Sequence, residues 1–243
     1  MDDRNAPVTK DPAPKGRGTV RDRPLTGLTV LVVEDSRFAS EALRLLCLRS
    51  GARIRRADSL RSAGRHMLSH RPAVAVVDVG LPDGSGAELI RTWAETGRRV
   101  PVLLGMSGDP DNEAVAMAAG ADGFLLKPVE SLAVFQQAIL SKLPPEDRPA
   151  GPRLVADETI IPDSGALRDD LVHVAEVLAA SDTTESIDYI ARFLAGVARS
   201  SHDPGLTDAA SALARDHSAG RALAADLARV SGMVQDRLSA ANR

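Results

Sequence analysis

The residues with the most chemistry in this sequence are acids that follow short apolar runs. Glu34 and Asp35 follow Leu28 to Val33 (LTVLVV), and Asp78 follows Ala73 to Val77 (AVAVV). Carboxylates in that position read as the carboxyl ends of buried parallel strands, the edge at which open α/β sheets bind ligands. Three clustered carboxylates repel one another unless a cation lies among them, and a small set of hard oxygen donors suits Mg²⁺. Two further strand ends carry Ser107 and Lys127. Asp78 has an oxygen free to act as a nucleophile. Lys127 supplies a point charge for an anionic oxygen, and Ser107 supplies a hydroxyl donor. Together they suit in-line transfer of a phosphoryl group onto Asp78, with the metal and Lys127 stabilising charge on the equatorial oxygens.

The elements that must position these groups alternate. Strands are expected over Leu28–Val33, Ala52–Ala57, Ala73–Val77, Val100–Leu104 and Gly123–Leu126. Between and after them, helical spacing predicts helices at about 36–50, 58–69 (Asp58 as N-cap), 87–96 (stopped by Gly97), 111–119 and 130–143. The segment Gly80 to Gly86 reads as a flexible turn-rich loop. Five strand–helix repeats make a five-stranded parallel sheet covered on both faces.

Singly, each site residue is ordinary: an Asp after a strand is a polar strand end, and a lone lysine is a solvated one. The joint pattern is not. Val32-Val33-Glu34-Asp35-Ser36, Val76-Val77-Asp78-Val79 with Leu81-Pro82-Asp83-Gly84, Met106-Ser107-Gly108, and Gly120 to Pro128 (GADGFLLKP) resemble, in order, the receiver domain of two-component response regulators. The resemblance spans about residues 25–143. It implies a flavodoxin-like, doubly wound fold. It also implies Mg²⁺ held by Glu34, Asp35 and Asp78, and phosphorylation of Asp78 by a histidine kinase or a histidine-phosphotransfer protein. Ser107 and Phe124 are the implied switch residues, Lys127 the implied catalytic cation, and Lys127-Pro128 the implied cis bond. Such a protein is a phosphoacceptor rather than an enzyme, apart from slow self-dephosphorylation. Two positions depart from the family pattern: Gly80, where a larger side chain such as Met is common, and Gly108, where Ala is usual. Both are expected to alter loop mobility and dephosphorylation rate.

The rest of the chain has a different texture. Residues 1–24 are rich in Pro, Gly, Asp and Arg and read as a disordered tail. Residues 144–165 hold five prolines and read as an extended linker. Residues 166–243 show no strand pattern but four helical segments, at 166–180, 183–200, 204–216 and 219–241, with caps at Asp182/Glu185 and at Asp203-Pro204. They predict a small helical bundle. Ala191 to Arg199 (ARFLAGVAR), with Asp203 to Leu206 and the small-residue run Ala209 to Leu213, resembles a histidine-phosphotransfer domain. The family's His position is here Arg192, its Lys position Ala195, and Gly196 remains. Arg192 lies about 200° round the helix from both Ile190 and Leu194, away from the apolar stripe. The resemblance therefore implies a degenerate phosphotransfer domain; an unrelated dimerisation module is the alternative. His173, His202 and His217 read as structural or solvated.

Composition narrows the function classes. Hydrophobic content of 44% with only 2% aromatics predicts an aliphatic core, and the net charge of −3 offers no reason for a polyanion partner. From Asp163 onward there are eight arginines, twelve acids and no lysine, a balance of −4, which argues against a DNA-binding output domain. A single cysteine, Cys47, excludes internal disulfides. No apolar stretch approaches membrane-spanning length and no signal pattern is present, so a cytoplasmic location is expected. The expectation is a response regulator that signals by protein contacts through its bundle, with homodimerisation as an option. The alternatives are a phosphorelay intermediate with an active C-terminal histidine, or a transcriptional regulator.

Overall fold

The computed structural model describes residues 23–95, 99–149, 158–180 and 184–240. The tail up to residue 22, the helix stop at Gly97, the middle of the linker and the Asp182/Glu185 cap lie outside the described side chains. The first half runs β1 (Thr29–Val33), α1 (Arg37–Ser50), β2 (Arg53–Ala57), α2 (Leu60–Ser69), β3 (Val74–Asp78), β4 (Gly80–Leu81), β5 (Gly84–Ser85), α3 (Gly86–Glu95), β6 (Val102–Ser107), α4 (Asn112–Ala118), β7 (Gly123–Leu126) and α5 (Leu132–Leu140). Five strands pair in parallel in the order β2-β1-β3-β6-β7.

Side chains alternate across each strand. Val30, Val32, Val74, Val76, Val102 and Leu104 therefore join one core with α1 and α5 through Leu43, Leu46, Phe135 and Ile139. Leu31, Val33, Ala75, Val77 and Leu103 join the other, with Ile90, Trp93 and Ala116 of α3 and α4. Because both faces are buried, the inner strands β1, β3 and β6 read as largely apolar runs whose carboxyl ends are free to be polar, whereas the edge strand β2 (RIRRA) is mostly exposed.

Three local expectations need correction. Ser59, not Asp58, caps α2: its hydroxyl accepts from the Ser62 amide, and the Ser62 hydroxyl accepts from the Ser59 amide. Asp58 instead accepts from both hydroxyls. The turn-rich loop after Asp78 contains a small antiparallel hairpin, β4 with β5. β6 runs to Ser107, three residues beyond the expected end, because pairing with β7, and with β3 at Gly105 and Met106, holds these residues in the ladder.

The second half is helical: a 3-10 turn at Pro145–Asp147, then α6 (Ser164–Ala180), α7 (Thr184–Ser200), α8 (Pro204–Ser218) and α9 (Ala224–Ala240). Residues 219–223, expected to open the last helix, are the turn after α8. The four helices share one core of Leu171, Val174, Ile190, Leu194, Leu213 and Val230 among others. The end of the linker is not free. The Leu132 amide donates to the Glu158 carbonyl and the Ile160 amide to the Glu130 carbonyl, both at 2.9 Å, and Ile160 is buried in the core of the α/β unit. This strap ties the chain down just before α6. The bundle itself rests on the α/β unit through α6 and α7 against α1, and through α7 against β4.

Candidate functional site

The strand ends place four groups at one edge of the sheet. Glu34 and Asp35 follow β1, Asp78 ends β3, Ser107 ends β6, and Lys127 follows β7, where its amide donates to the Ser107 carbonyl at 2.8 Å. One oxygen from each of Glu34, Asp35 and Asp78 lies within 4.8 Å of the others, so the three carboxylates can share a metal ion. Lys127 Nζ lies 2.6 Å from Glu34 Oε2 and donates to Asp78 Oδ2 at 2.8 Å. Glu34, Asp78, Ser107 and Lys127 are all buried. The Lys127–Pro128 bond is cis.

Neighbouring backbone fixes the acids. The Ser36 amide donates to Glu34 Oε1 at 3.2 Å and to Asp35 Oδ1 at 3.1 Å. Behind Asp78, Gly86 opens α3, and a Cβ there would fall 1.8 Å from the Asp78 carbonyl oxygen. Only glycine permits that approach, which lets α3 start directly beneath the aspartate.

Burial and charge act in opposition here. Burial pushes Glu34 well above the usual carboxylate range, against the pull of Lys127. Burial and the Asp78 charge push Asp35 up to about 6. Burial alone would favour a neutral Lys127, but Asp78, Glu34 and Asp35 more than offset it and hold the ammonium protonated. Three carboxylates against one ammonium leave excess negative charge, which a hard divalent cation would neutralise, so the donor set fits such an ion.

Ser107 is engaged by the residues that follow it: its Oγ accepts from the Asp109 amide at 3.1 Å and from Asn112 Nδ2 at 3.0 Å. Phe124 is half-buried against the cluster that contains Ala116. Arg192 stands on the exposed side of α7, its side chain 70% accessible and paired with Asp188 of the preceding turn. It is not brought to the acidic site.

The residues the sequence reading missed come from the bundle. Asp170 of α6 is 2% exposed and caps α1 from outside, accepting from the Ser36 hydroxyl (2.7 Å), the Arg37 amide (2.8 Å) and the Phe38 amide (3.0 Å). The Tyr189 hydroxyl of α7 donates to Asp35 Oδ2 at 2.7 Å. Arg199 Nη1 donates to the Gly108 carbonyl at 2.6 Å. Burial and the Asp35 charge push the Tyr189 phenol up, so it remains a donor. A signal for Asp170 existed: three residues after Leu167 and beside Leu171, it shares the apolar stripe of α6, where an unpaired acid has no place. Gly108 was the other signal. A methyl there would lie 2.0 Å from Arg199 Nη1, so the departure at this position clears space for the bundle. Beside these contacts an open cleft of about 1240 Å³ runs between the bundle and the α2 edge, reaching Asp35, Arg56, Arg65 and His173.

Residues 30–139 match the family model of the response regulator receiver domain. Over these residues the chain is similar to a receiver domain. Among curated proteins it is similar to the virulence transcriptional regulatory protein PhoP of Salmonella typhimurium, 32% identical over 118 residues, 47% of this chain and 53% of that protein. The transcriptional regulatory protein PhoP of Escherichia coli is 30% identical over the same shares. The chain thus spans about half the length of the curated relatives it matches. Among solved structures, the receiver domain of a sensor histidine kinase from Pseudomonas aeruginosa, recorded with a magnesium ion in its active-site cleft, is 23% identical with a TM-score of 0.43, covering 48% of this chain and 98% of that one. The chemotaxis response regulator CheY4 of Vibrio cholerae is 24% identical with a TM-score of 0.42, covering 47% and 100%. The family-model match ends at residue 139, before the helical bundle begins.

Proposed function

We propose that the chain is a response regulator that accepts a phosphoryl group at Asp78 from the phosphohistidine of a kinase or phosphotransfer protein in the cytoplasm. The observation that carries this reading is the Asp78–Lys127–Glu34 contact set, with Asp35 alongside, inside the segment that matches the receiver family. Glu34, Asp35 and Asp78 would hold Mg²⁺, which when bound shields the charge of the incoming phosphoryl oxygens. Asp78 Oδ2 is held by Lys127 at 2.8 Å and Oδ1 only by the Gly80 amide at 3.4 Å, so Oδ1 is the freer oxygen to attack phosphorus. The P–N bond to the donor imidazole breaks as the P–O bond forms, and the imidazole leaves with the electron pair. Lys127 follows the charge onto the phosphoryl oxygens, and Ser107 leaves Asn112 to donate to one of them. Phe124 would report that movement to the surface.

Output through protein contacts is part of the same proposal. The bundle is acidic and has no lysine, which does not suit a phosphate backbone. Its α7 carries Arg192 at the exposed mid-helix position where a phosphotransfer domain would display histidine, and a guanidinium is not a relay group. We read it as a degenerate phosphotransfer domain.

The test is labelling by a phosphohistidine donor in Mg²⁺. A base-labile, acid-stable label on the wild type that is absent from Asp78→Asn and in EDTA is the expected result. A label that persists in Asp78→Asn overturns the assignment, and an acid-labile label would place it on a histidine instead.

A further inference from the structure

We propose that Tyr189 is a positioning residue of the acidic site: from the bundle, its phenol fixes the Asp35 carboxylate, so the docked bundle sets how tightly the site takes a divalent cation. The inference rests on the cation-assisted reading of that site.

Asp35 is the least buried of the three acids. Two donors from two different parts of the chain hold it. The Ser36 amide takes Oδ1 at 3.1 Å, and the Tyr189 hydroxyl takes Oδ2 at 2.7 Å. One donor on each oxygen fixes the plane of the carboxylate. An ionised carboxylate offers about four acceptor sites, so lone pairs remain for a cation. Outer partners of this kind orient the ligand and are worth roughly 10–100-fold in metal affinity.

The phenol is itself well held. Its ring lies 5.7 Å from that of Phe193, which meets His173 edge-on at 5.7 Å. The helix that carries it is pinned further along, where Arg199 binds the Gly108 carbonyl, and its neighbour α6 is pinned where Asp170 caps α1. Tyr189 therefore reaches the site as part of a rigid docked face, not as a loose side chain.

Tyr189 is also the only tyrosine in the chain, so the tyrosine component of the near-ultraviolet difference spectrum, separated from that of the single Trp93, reports this one contact. Calorimetric titration of the full chain with Mg²⁺ should show Tyr189→Phe binding about tenfold more weakly than wild type. The same titration should shift the tyrosine absorption band of the wild type, and not that of Asp35→Asn. Affinity in Tyr189→Phe that is unchanged or tighter overturns the proposal. So does a tyrosine band that stays flat while the wild type saturates, a readout that stands even if the variant folds poorly. Failure of the wild type to take up Mg²⁺ at all would instead overturn the cation reading on which the proposal rests.

Discussion

A methyl group at position 108 would lie 2.0 Å from Arg199 Nη1, so one side chain or the other must yield. The guanidinium is the flexible partner. Gly108→Ala should therefore fold normally but lose the bond to the Gly108 carbonyl, at a cost of about 1.5 kcal/mol to docking. Faster amide exchange along α7, with the melting of the sheet unchanged, is the expected reading; unchanged exchange would mean Arg199 contributes nothing there. Lys127 poses the opposite problem. It is the buried cation among three acids, and Lys127→Met leaves them without compensation. Urea unfolding in EDTA should show a loss of about 3 kcal/mol, part of it recovered with Mg²⁺. Full stability in EDTA would show that the acids simply take up protons.

Helix ends decide much of the bundle. Asp203 caps α8, accepting from the Leu206 amide at 2.9 Å, and pairs with Arg237 of α9 through two oxygens. The Arg237 hydrogen bonds hold the Asp203 carboxyl below its ordinary value. A carboxylate lowered in the folded state contributes stability above its unfolded pKa of about 3.9, and loses it as the pH falls through the lower folded value. Arg237→Gln should therefore weaken the chain by about 1 kcal/mol at neutral pH. The gap to wild type should close only below the ordinary aspartate range, and a gap constant with pH would show that Arg237 acts by packing alone. The same elements show what the sequence makes legible. β1 and β3 are uniformly apolar because both faces of the sheet are covered, so their polar ends mark the site edge directly. The end of β6 is hidden because Gly105 to Ser107 looks like loop and is strand by pairing with β3 and β7, a long-range fact. Tyr189 and Arg199 left no pattern in their own helix, because what selects them is a surface some 90 to 155 residues away in sequence.

For the whole molecule, the central fact is that the bundle sits on the edge of the sheet that carries the acids. Asp170 takes three donors at the start of α1, where the helix end favours a negative group. Asp170→Ala should leave the sheet folded, since the Ser36 hydroxyl still caps Ala39 at 3.0 Å, while the bundle comes away. Small-angle scattering should show a larger radius of gyration with helix content preserved; an unchanged radius would show that the remaining contacts suffice. How firmly the bundle stays down also depends on the strap at Glu158 to Ile160. Only Ile161, Pro162 and Asp163 separate that anchored segment from the start of α6. So short a tether keeps the bundle at a local concentration on the order of millimolar against its own α/β unit. A handful of polar contacts, each weak for two free proteins, is then enough to hold it closed. The same arithmetic means that a competitor in solution must outbid a partner that never diffuses away.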